Sequence, residues 1–283
     1  MPITQFDQSS YEGAPIRLYE FSRGVQVWRY TNADADIVRG TIAGLDKVWT
    51  AISCFDSGIV AASENPDSDD LTVTVPWSLE LVQLYAGTPP ASSVYLRIYD
   101  TDDGDANEDT DLAWIGTISA VRKADEGVAE IVCNTLTRGF DRPGLRLGWQ
   151  RTCPYALYDD DTCKVSKSSF AVSGTASDLT GTTVTVSGLS AKPDGWFNGG
   201  FIEWVVYAGT PNVYERRPVH THVGDVLTLL STTDGIADGT TITAYPGCDR
   251  LTQTCNDKFS NLANCGAIPW MPGISPFDGR MVF

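Results

Sequence analysis

Two cysteines lie in the stretch Leu147-Gly-Trp-Gln-Arg-Thr-Cys153-Pro-Tyr-Ala-Leu-Tyr-Asp-Asp-Asp-Thr-Cys163, and two more lie in Tyr245-Pro-Gly-Cys248-Asp-Arg-Leu-Thr-Gln-Thr-Cys255. About eighty residues that read as strands and turns separate the two pairs, so the cysteine loops can meet only if this stretch folds back on itself. If they meet, four thiolates converge on one point. Four thiolates are the usual ligand set of structural zinc or of an iron–sulfur cluster.

The spacing within each pair bears on the kind of metal. Nine residues separate Cys153 from Cys163, and six separate Cys248 from Cys255. Zinc ribbons and fingers pair their cysteines more tightly, typically with about two to four residues between them. Wide loops suit a larger object, and a cubane cluster binds its ligands at four separate irons. Spacing by itself leaves a cluster, zinc and disulfides open.

Short strands dominate the chain, and the fold class that this predicts is mainly β. Residues 71–75 alternate apolar and polar side chains, which is typical of a half-buried strand. Further strands are predicted at 16–21, 25–30, 93–100, 112–121, 128–133, 170–175, 183–187, 200–207, 214–220, 226–230 and 240–245. Residues 78–87, with Ser78 as N-cap, and residues 252–263 predict one short helix in each half.

A break in this strand pattern predicts two domains. Two glycines and a proline interrupt the alternation between Arg138 and Gly144. We therefore expect an N-terminal β domain at residues 1–140 and a C-terminal β domain at residues 141–283 that carries the four cysteines. Regularly spaced short strands predict a barrel-like or sandwich-like module in each.

The charge and the cysteine count exclude several classes of protein. With 36 acidic and 20 basic residues, the formal net charge is −16, which disfavours sequence-independent binding to nucleic acids or anionic membranes. The sequence shows neither a signal peptide nor an apolar run long enough for a membrane helix, so we expect no membrane anchor and assembly in the cytoplasm. Disulfides do not persist in that compartment, where clustered cysteines more often bind metal. Because the sequence has seven cysteines, at least one thiol would stay unpaired under any disulfide scheme.

Other candidate sites have simpler interpretations. The acidic loop at 100–111 carries oxygen ligands of the type that calcium takes, but it does not match an EF-hand and is interpreted as a solvated hairpin loop. His220 and His222 are two apart on a predicted strand, which would place both on one face, and are interpreted as ordinary strand surface. Cys54 and Cys133 lie in apolar strands and are interpreted as small core residues. No nucleophile, phosphate-loop or metalloprotease motif appears, so no enzyme is predicted.

Several short motifs occur in a fixed order: Gly148-Trp-Gln-Arg-Thr-Cys153-Pro-Tyr, Leu157-Tyr-Asp-Asp-Asp-Thr-Cys163, Tyr245-Pro-Gly-Cys248-Asp-Arg, Thr254-Cys255, Phe259-Ser-Asn and Ile268-Pro-Trp-Met-Pro-Gly. Together they resemble a known family, the hub or minor tail proteins at the tail tip of long-tailed bacteriophages and of gene-transfer particles. Looser matches in the first half are Leu18-Tyr-Glu-Phe, Val27-Trp-Arg-Tyr-Thr and Trp114-Ile-Gly. Cys265 departs from the pattern, where a glycine or a basic residue is expected, and is not predicted as a ligand.

The resemblance implies a function and a cofactor. Cys153, Cys163, Cys248 and Cys255 would bind a four-iron cluster, with zinc as the alternative. The protein would be a homotrimeric hub in the virion tail tip, joining the distal tail protein ring to a central fibre or spike protein, with DNA passing through its lumen without specific binding. Two other classes stay open: a redox or electron-transfer module, and a zinc-stapled receptor-binding module that uses some of the eight tryptophans.

Overall fold

The described part of the chain forms two compact, strand-rich units. The computed structural model describes residues 14–40, 46–52, 57, 70–102, 110–136 and 148–272. The first unit lies within Met1–Arg142 and Val205–Glu215, and the second within Pro143–Trp204 and Arg216–Phe283. The predicted mainly β class is confirmed, with a large sheet, a closed barrel and a short helix in each half.

The first unit is built on an eight-stranded sheet in the described residues. Its strands are β1 (Pro15–Arg23), β2 (Gln26–Thr31), β3 (Ile37–Gly40), β4 (Asp46–Ala51), β5 (Leu71–Pro76), β6 (Tyr95–Asp102), β7 (Thr110–Asp125) and β8 (Val128–Thr135). They lie in the order β3-β4-β2-β1-β6-β7-β8-β5. The β2–β4 pair is parallel, and the other neighbouring pairs are antiparallel.

Strand β5 shows why these residues form a sheet. Leu71, Val73 and Val75 are buried, whereas Thr72 is exposed, as the two-residue period requires. The register places Leu71 opposite Cys133 on β8, and the Cys133 side chain is fully buried. Burial raises the pKa of the Cys133 thiol far above its usual range. The interpretation of Cys133 as a small core residue is therefore confirmed; Cys54 lies outside the described residues.

Helix α1 is shorter than predicted. It spans Glu80–Gln83, and its buried residues are Leu81 and Val82. The predicted N-cap Ser78 is wrong, because the capping position is Leu79, which has an extended backbone and makes no side-chain cap. The amide of Tyr85 donates to the carbonyl of Val82 at 2.9 Å, three residues back, so the chain tightens and leaves the α-helical path soon after Gln83.

An ion pair is buried inside the first unit. Arg23 on β1 is 1% exposed and donates to Glu215, which also accepts from the amide of Ala91 at 2.9 Å. Arg23 also donates to the hydroxyl of Ser92 at 2.8 Å. A buried guanidinium requires such partners, because an isolated charge in a protein interior is strongly destabilising.

A closed barrel is built mainly from residues of the second unit. Its strands are β9 (Val172–Thr180), β10 (Thr183–Val186), β11 (Phe201–Tyr207), β12 (Val213–Val223), β13 (Val226–Leu229) and β14 (Thr241–Tyr245), in the order β10-β13-β12-β11-β14-β9. Side chains that point inward fill it, among them Val184, Ile202, Leu227 and Ile242, all fully buried. The barrel thus has a packed interior.

The segments that flank the barrel strands carry the cysteine loops. Helix α2 spans Thr252–Asp257 and holds Cys255, and a 3₁₀ helix follows at Leu262–Asn264. The predicted single helix at 252–263 is wrong, because Ser260 has a φ of +50° and breaks it. No helix in the described residues is long and apolar enough to span a membrane.

Candidate functional site

Five cysteines of the second unit line one cavity of ≈ 260 Å³. They are the four predicted residues, Cys153, Cys163, Cys248 and Cys255, together with Cys265. All five are free thiols in the structure. The fold thus brings together two pairs that are about eighty residues apart in the sequence, and it adds a fifth thiol, Cys265, that is not predicted as a ligand.

Tight turns position Cys163, the second cysteine of the first loop. The carboxylate of Asp159 accepts from the amide and the hydroxyl of Thr162, at 2.9 Å and 2.5 Å, and its carbonyl accepts from the amide of Lys164 at 2.7 Å. The Thr162 hydrogen bonds lower the pKa of the Asp159 carboxyl. Tyr158 and Lys164 have φ of 66° and 59°, which is uncommon for residues with side chains. Cys163 therefore lies in a turn that leaves its backbone little freedom.

Tyr158 fixes this loop against the barrel. Its hydroxyl donates to the carbonyl of Pro246 at 2.7 Å. Its ring meets Phe201, Tyr245 and Phe259 edge to face, with centroid distances of 6.2 to 6.4 Å. Aromatic rings in this geometry attract one another beyond the area that they bury. The wall of the cavity next to Cys163 is consequently a packed aromatic cluster.

Glycines allow the second loop to reach the cavity. A Cβ on Gly247 would lie 2.2 Å from the carbonyl carbon of Gly199, and a Cβ on Gly200 would lie 2.0 Å from the carbonyl oxygen of Tyr245. Both obstacles are backbone atoms, which cannot rotate away. Only glycine permits this close approach, and it places Cys248 at the cavity beside Gly199 and Gly200.

Hydrogen bonds tie the two loops to each other. The amide of Cys153 donates to the carbonyl of Arg250 at 2.9 Å. The side-chain amide of Asn261 donates to the carbonyl of Cys163 at 2.5 Å and lies 3.8 Å from its sulfur. The amide of Arg250 donates to the sulfur of Cys248 at 3.3 Å. Donors aimed at sulfur stabilise thiolates and are a usual feature around thiolate-bound metals.

Two thiols of this site, those of Cys248 and Cys255, have raised pKa values. Burial, opposed by the Arg250 amide, raises the pKa of Cys248, and Cys163 and Cys153 nearby raise it further. Burial, followed by the neighbouring Cys265, raises the pKa of Cys255 to about 12. Since thiolates bind metals, a metal that enters this cavity must displace protons.

The ammonium group of Lys258 lies beside the second cysteine loop. The ammonium of Lys258 donates to the carbonyls of Trp196 and Gly247, at 2.5 Å and 2.9 Å, and burial lowers its pKa. Arg250 lines the cavity, whereas the side chain of Arg151 donates to the carbonyl of Met271 at 3.0 Å. Lys258 is therefore placed to offset negative charge on the second loop.

The remaining candidate sites differ from the cysteine cavity. His220 and His222 do not share a face, because a bulge between Val219 and Thr221 turns His222 inward, where its Nε2 lies 2.8 Å from the carbonyl oxygen of Gly224. His220 is exposed, as expected for strand surface. In the acidic stretch 100–111, residues 103–109 lie outside the described residues, so the interpretation of this loop stays a prediction. Among the residues that the structure describes, no three His, Cys, Asp or Glu side chains are grouped closely enough to hold a single metal ion.

Comparisons with known proteins match parts of this architecture. Residues 195–274 match the family described as phage conserved hypothetical protein BR0599, a segment that contains three of the five cavity cysteines. Over 79 residues the chain is 29% identical to an uncharacterized protein of Xylella fastidiosa (strain 9a5c), which covers 28% of this chain and 15% of that protein. A chain from the virion of a native gene transfer agent particle has a similar fold, with a TM-score of 0.77 and 16% identity over 99% of this chain and 95% of that one.

Proposed function

We propose that this protein is a structural component of a phage-type particle, and that Cys153, Cys163, Cys248 and Cys255 hold a metal centre that cross-links its second unit. The observation that carries the proposal is the convergence of these four thiols on one cavity. The fold similarity to a virion chain and the phage description of the family matched at residues 195–274 support the particle assignment. We infer a structural, non-enzymatic role.

A four-iron cluster suits the cavity better than zinc. A zinc ion draws four sulfurs to about 2.3 Å from one point, whereas these thiols are distributed over the walls of a ≈ 260 Å³ space. A cubane cluster binds each thiolate at a different iron and needs such a separation. The backbone donor to the Cys248 sulfur and the Asn261 amide beside the Cys163 sulfur fit the same group.

The metal centre would act as a cross-link between distant parts of the chain. When bound, the cluster supplies bonds to both cysteine loops, which the six barrel strands otherwise separate. Metal binding at structural thiolate sites contributes folding free energy on the order of 10 kcal/mol. The residues of the chain orient the thiols: Asp159 and Asn261 hold the first loop, and Gly247 and Lys258 hold the second.

Within the particle we assign the protein to the tail tip. As a homotrimeric hub it would join the distal tail protein ring to the central fibre or spike protein. The net charge of −16 suits a lumen wall that DNA passes without adhering. The test is to tag the protein in its producing strain and to purify particles on a density gradient. Labelling at one end of the tail and a trimer by native mass spectrometry are expected; a protein that stays outside the particles would refute the assignment.

Exposed tryptophans favour a second candidate, a receptor-binding role. Trp149 and Trp270 are 84% and 92% exposed. The segments that carry them are joined, because the amide of Ile268 donates to the carbonyl of Gln150 at 3.1 Å. Exposed aromatic rings on paired segments suit a sugar or protein partner. Binding of the isolated protein to host-surface glycans, lost in a W149A/W270A variant that remains folded, would support this role; equal binding by both proteins would exclude it.

A further inference from the structure

The cavity holds one more thiol than a four-iron cluster requires. Cys265 lies on its wall near Cys255, and its thiol helps to raise the pKa of Cys255. The two residues are ten apart in the sequence, one in α2 and the other just after the 3₁₀ helix Leu262–Asn264. Cys255 and Cys265 therefore both line the cavity, although the family resemblance implies only Cys255 as a ligand.

Cys265 is held in place by the first cysteine loop and by its own turn. Its amide donates to the carbonyl of Leu262 at 3.1 Å. The next residue, Gly266, packs on the ring of Tyr155 so closely that a Cβ there would lie 2.6 Å from two ring carbons. Tyr155 itself lines the cavity. The backbone of Cys265 is thus fixed at the cavity by contacts independent of Cys255.

The surroundings of Cys255 make it a less favourable metal ligand than Cys248. Its thiol donates to the carbonyl of Asn261 at 3.3 Å, so its sulfur faces an acceptor. The sulfur of Cys248, in contrast, receives an amide hydrogen from Arg250. A carbonyl oxygen repels a thiolate, whereas an N–H group stabilises it. A second thiol near Cys255 can therefore compete with it for the metal.

We propose that Cys255 and Cys265 are interchangeable ligands for one corner of the metal centre, with Cys153, Cys163 and Cys248 as its fixed ligands. Either thiol binds after losing its proton to solvent, and the other remains a protonated thiol beside it. The inference rests on the proposed metal centre and adds to it a fifth residue able to ligate. It predicts that the site tolerates the loss of either member of this pair but not the loss of a fixed ligand.

The test is a series of alanine variants of the full chain, purified without oxygen and assayed for iron, sulfide and zinc per chain. C255A and C265A are each expected to keep the wild-type metal content, and C255A/C265A is expected to lose metal as severely as C153A. C133A, which removes a thiol in the first unit, is the matched control and should keep the wild-type content. Circular dichroism reports folding, and serine versions, which keep the side-chain size, replace any alanine variant that unfolds.

The outcomes separate the two proposals. If wild type holds metal and C255A loses as much as C153A, the proposal that Cys255 and Cys265 share one corner of the metal centre (the shared corner) is refuted. The proposed metal centre itself then stands. The shared corner is likewise refuted if C255A/C265A keeps as much metal as C255A. If wild type holds neither iron, sulfide nor zinc, the metal centre falls and the shared corner falls with it. If the metal is zinc, the same series is measured by zinc content.

Discussion

The close approach of backbone at Gly247 makes G247A a direct test of how the second cysteine loop is placed. The added Cβ would lie 2.2 Å from the carbonyl carbon of Gly199 and 2.4 Å from the carbonyl oxygens of Gly199 and Asn198. Ordinary contacts between such atoms are above 3.4 Å, so the two backbone segments must separate by roughly 1 Å. Cys248 is the next residue and moves with the loop.

This movement has a measurable cost. Overpacking of a well-packed site typically destabilises a protein by about 1–3 kcal/mol, and here the obstacle is backbone, which favours the upper part of that range. Displacing a ligand by roughly 1 Å also weakens metal binding. Urea denaturation of the metal-free protein, followed by tryptophan fluorescence, measures the first effect, and metal content after dialysis against a chelator measures the second. We expect the free energy of unfolding and the retained metal content both to be lower in G247A than in wild type.

Gly148 provides the matched control. It lies in the segment that leads to Cys153, and a Cβ there meets no atom within 4 Å. G148A should leave the stability within about 0.5 kcal/mol of wild type and the metal content unchanged. If G247A behaves as G148A does in both assays, the close packing of the second loop does not place Cys248.

Three further predictions address the buried Arg23–Glu215 ion pair, the hydrogen bond from Asn261 to the Cys163 loop, and the proton of the Cys255 thiol. R23M removes the closest cation of the buried Glu215 and should cost about 3–5 kcal/mol in urea denaturation; a loss below about 1 kcal/mol would contradict its role. N261A removes the donor to the Cys163 loop and should weaken metal binding by about 10–100-fold in chelator competition, and an unchanged affinity would argue against an orienting role. The pKa of Cys255, raised to about 12, gives two opposite pH trends. Metal affinity should rise with pH, by up to about tenfold per unit for each displaced proton, whereas the stability of the metal-free protein should fall above about pH 8.5, where the unfolded thiol ionises first. Flat profiles in both assays would refute the assignment of this proton to Cys255.

Much of the fold follows from local patterns. The alternation at residues 71–75 predicts β5, and turn residues at regular intervals predict the barrel strands. Strands β3 and β4 escape detection because each places an apolar residue on its exposed side: Val38 and Val48, paired in the register, are both exposed. The parallel pairing of β4 with β2, which places Tyr30 beside Thr50, is a longer-range feature, and no local pattern encodes it.

The cysteines of the site are predictable from the sequence, whereas its details are less so. The strands between the pairs allow Cys153 and Cys248 to meet, and the family resemblance implies that they share one site. The bulge that turns His222 inward and the left-handed Ser260 that ends α2 depend on tertiary packing, which sequence patterns do not report. Cys265 departs from the family motif and is therefore not predicted as a ligand, yet its place at the cavity follows from the contact of Gly266 with Tyr155.

The metal content of the protein purified without oxygen tests the proposed metal centre most directly. We expect iron and acid-labile sulfide in equal amounts, about four of each per chain, with a brown colour that is lost when the cavity cysteines are replaced. Zinc without iron or sulfide would show that the metal centre is a zinc site and not an iron–sulfur cluster. A protein that contains neither iron, sulfide nor zinc, while all five cavity thiols react freely with a thiol reagent after unfolding, would contradict the existence of a metal centre.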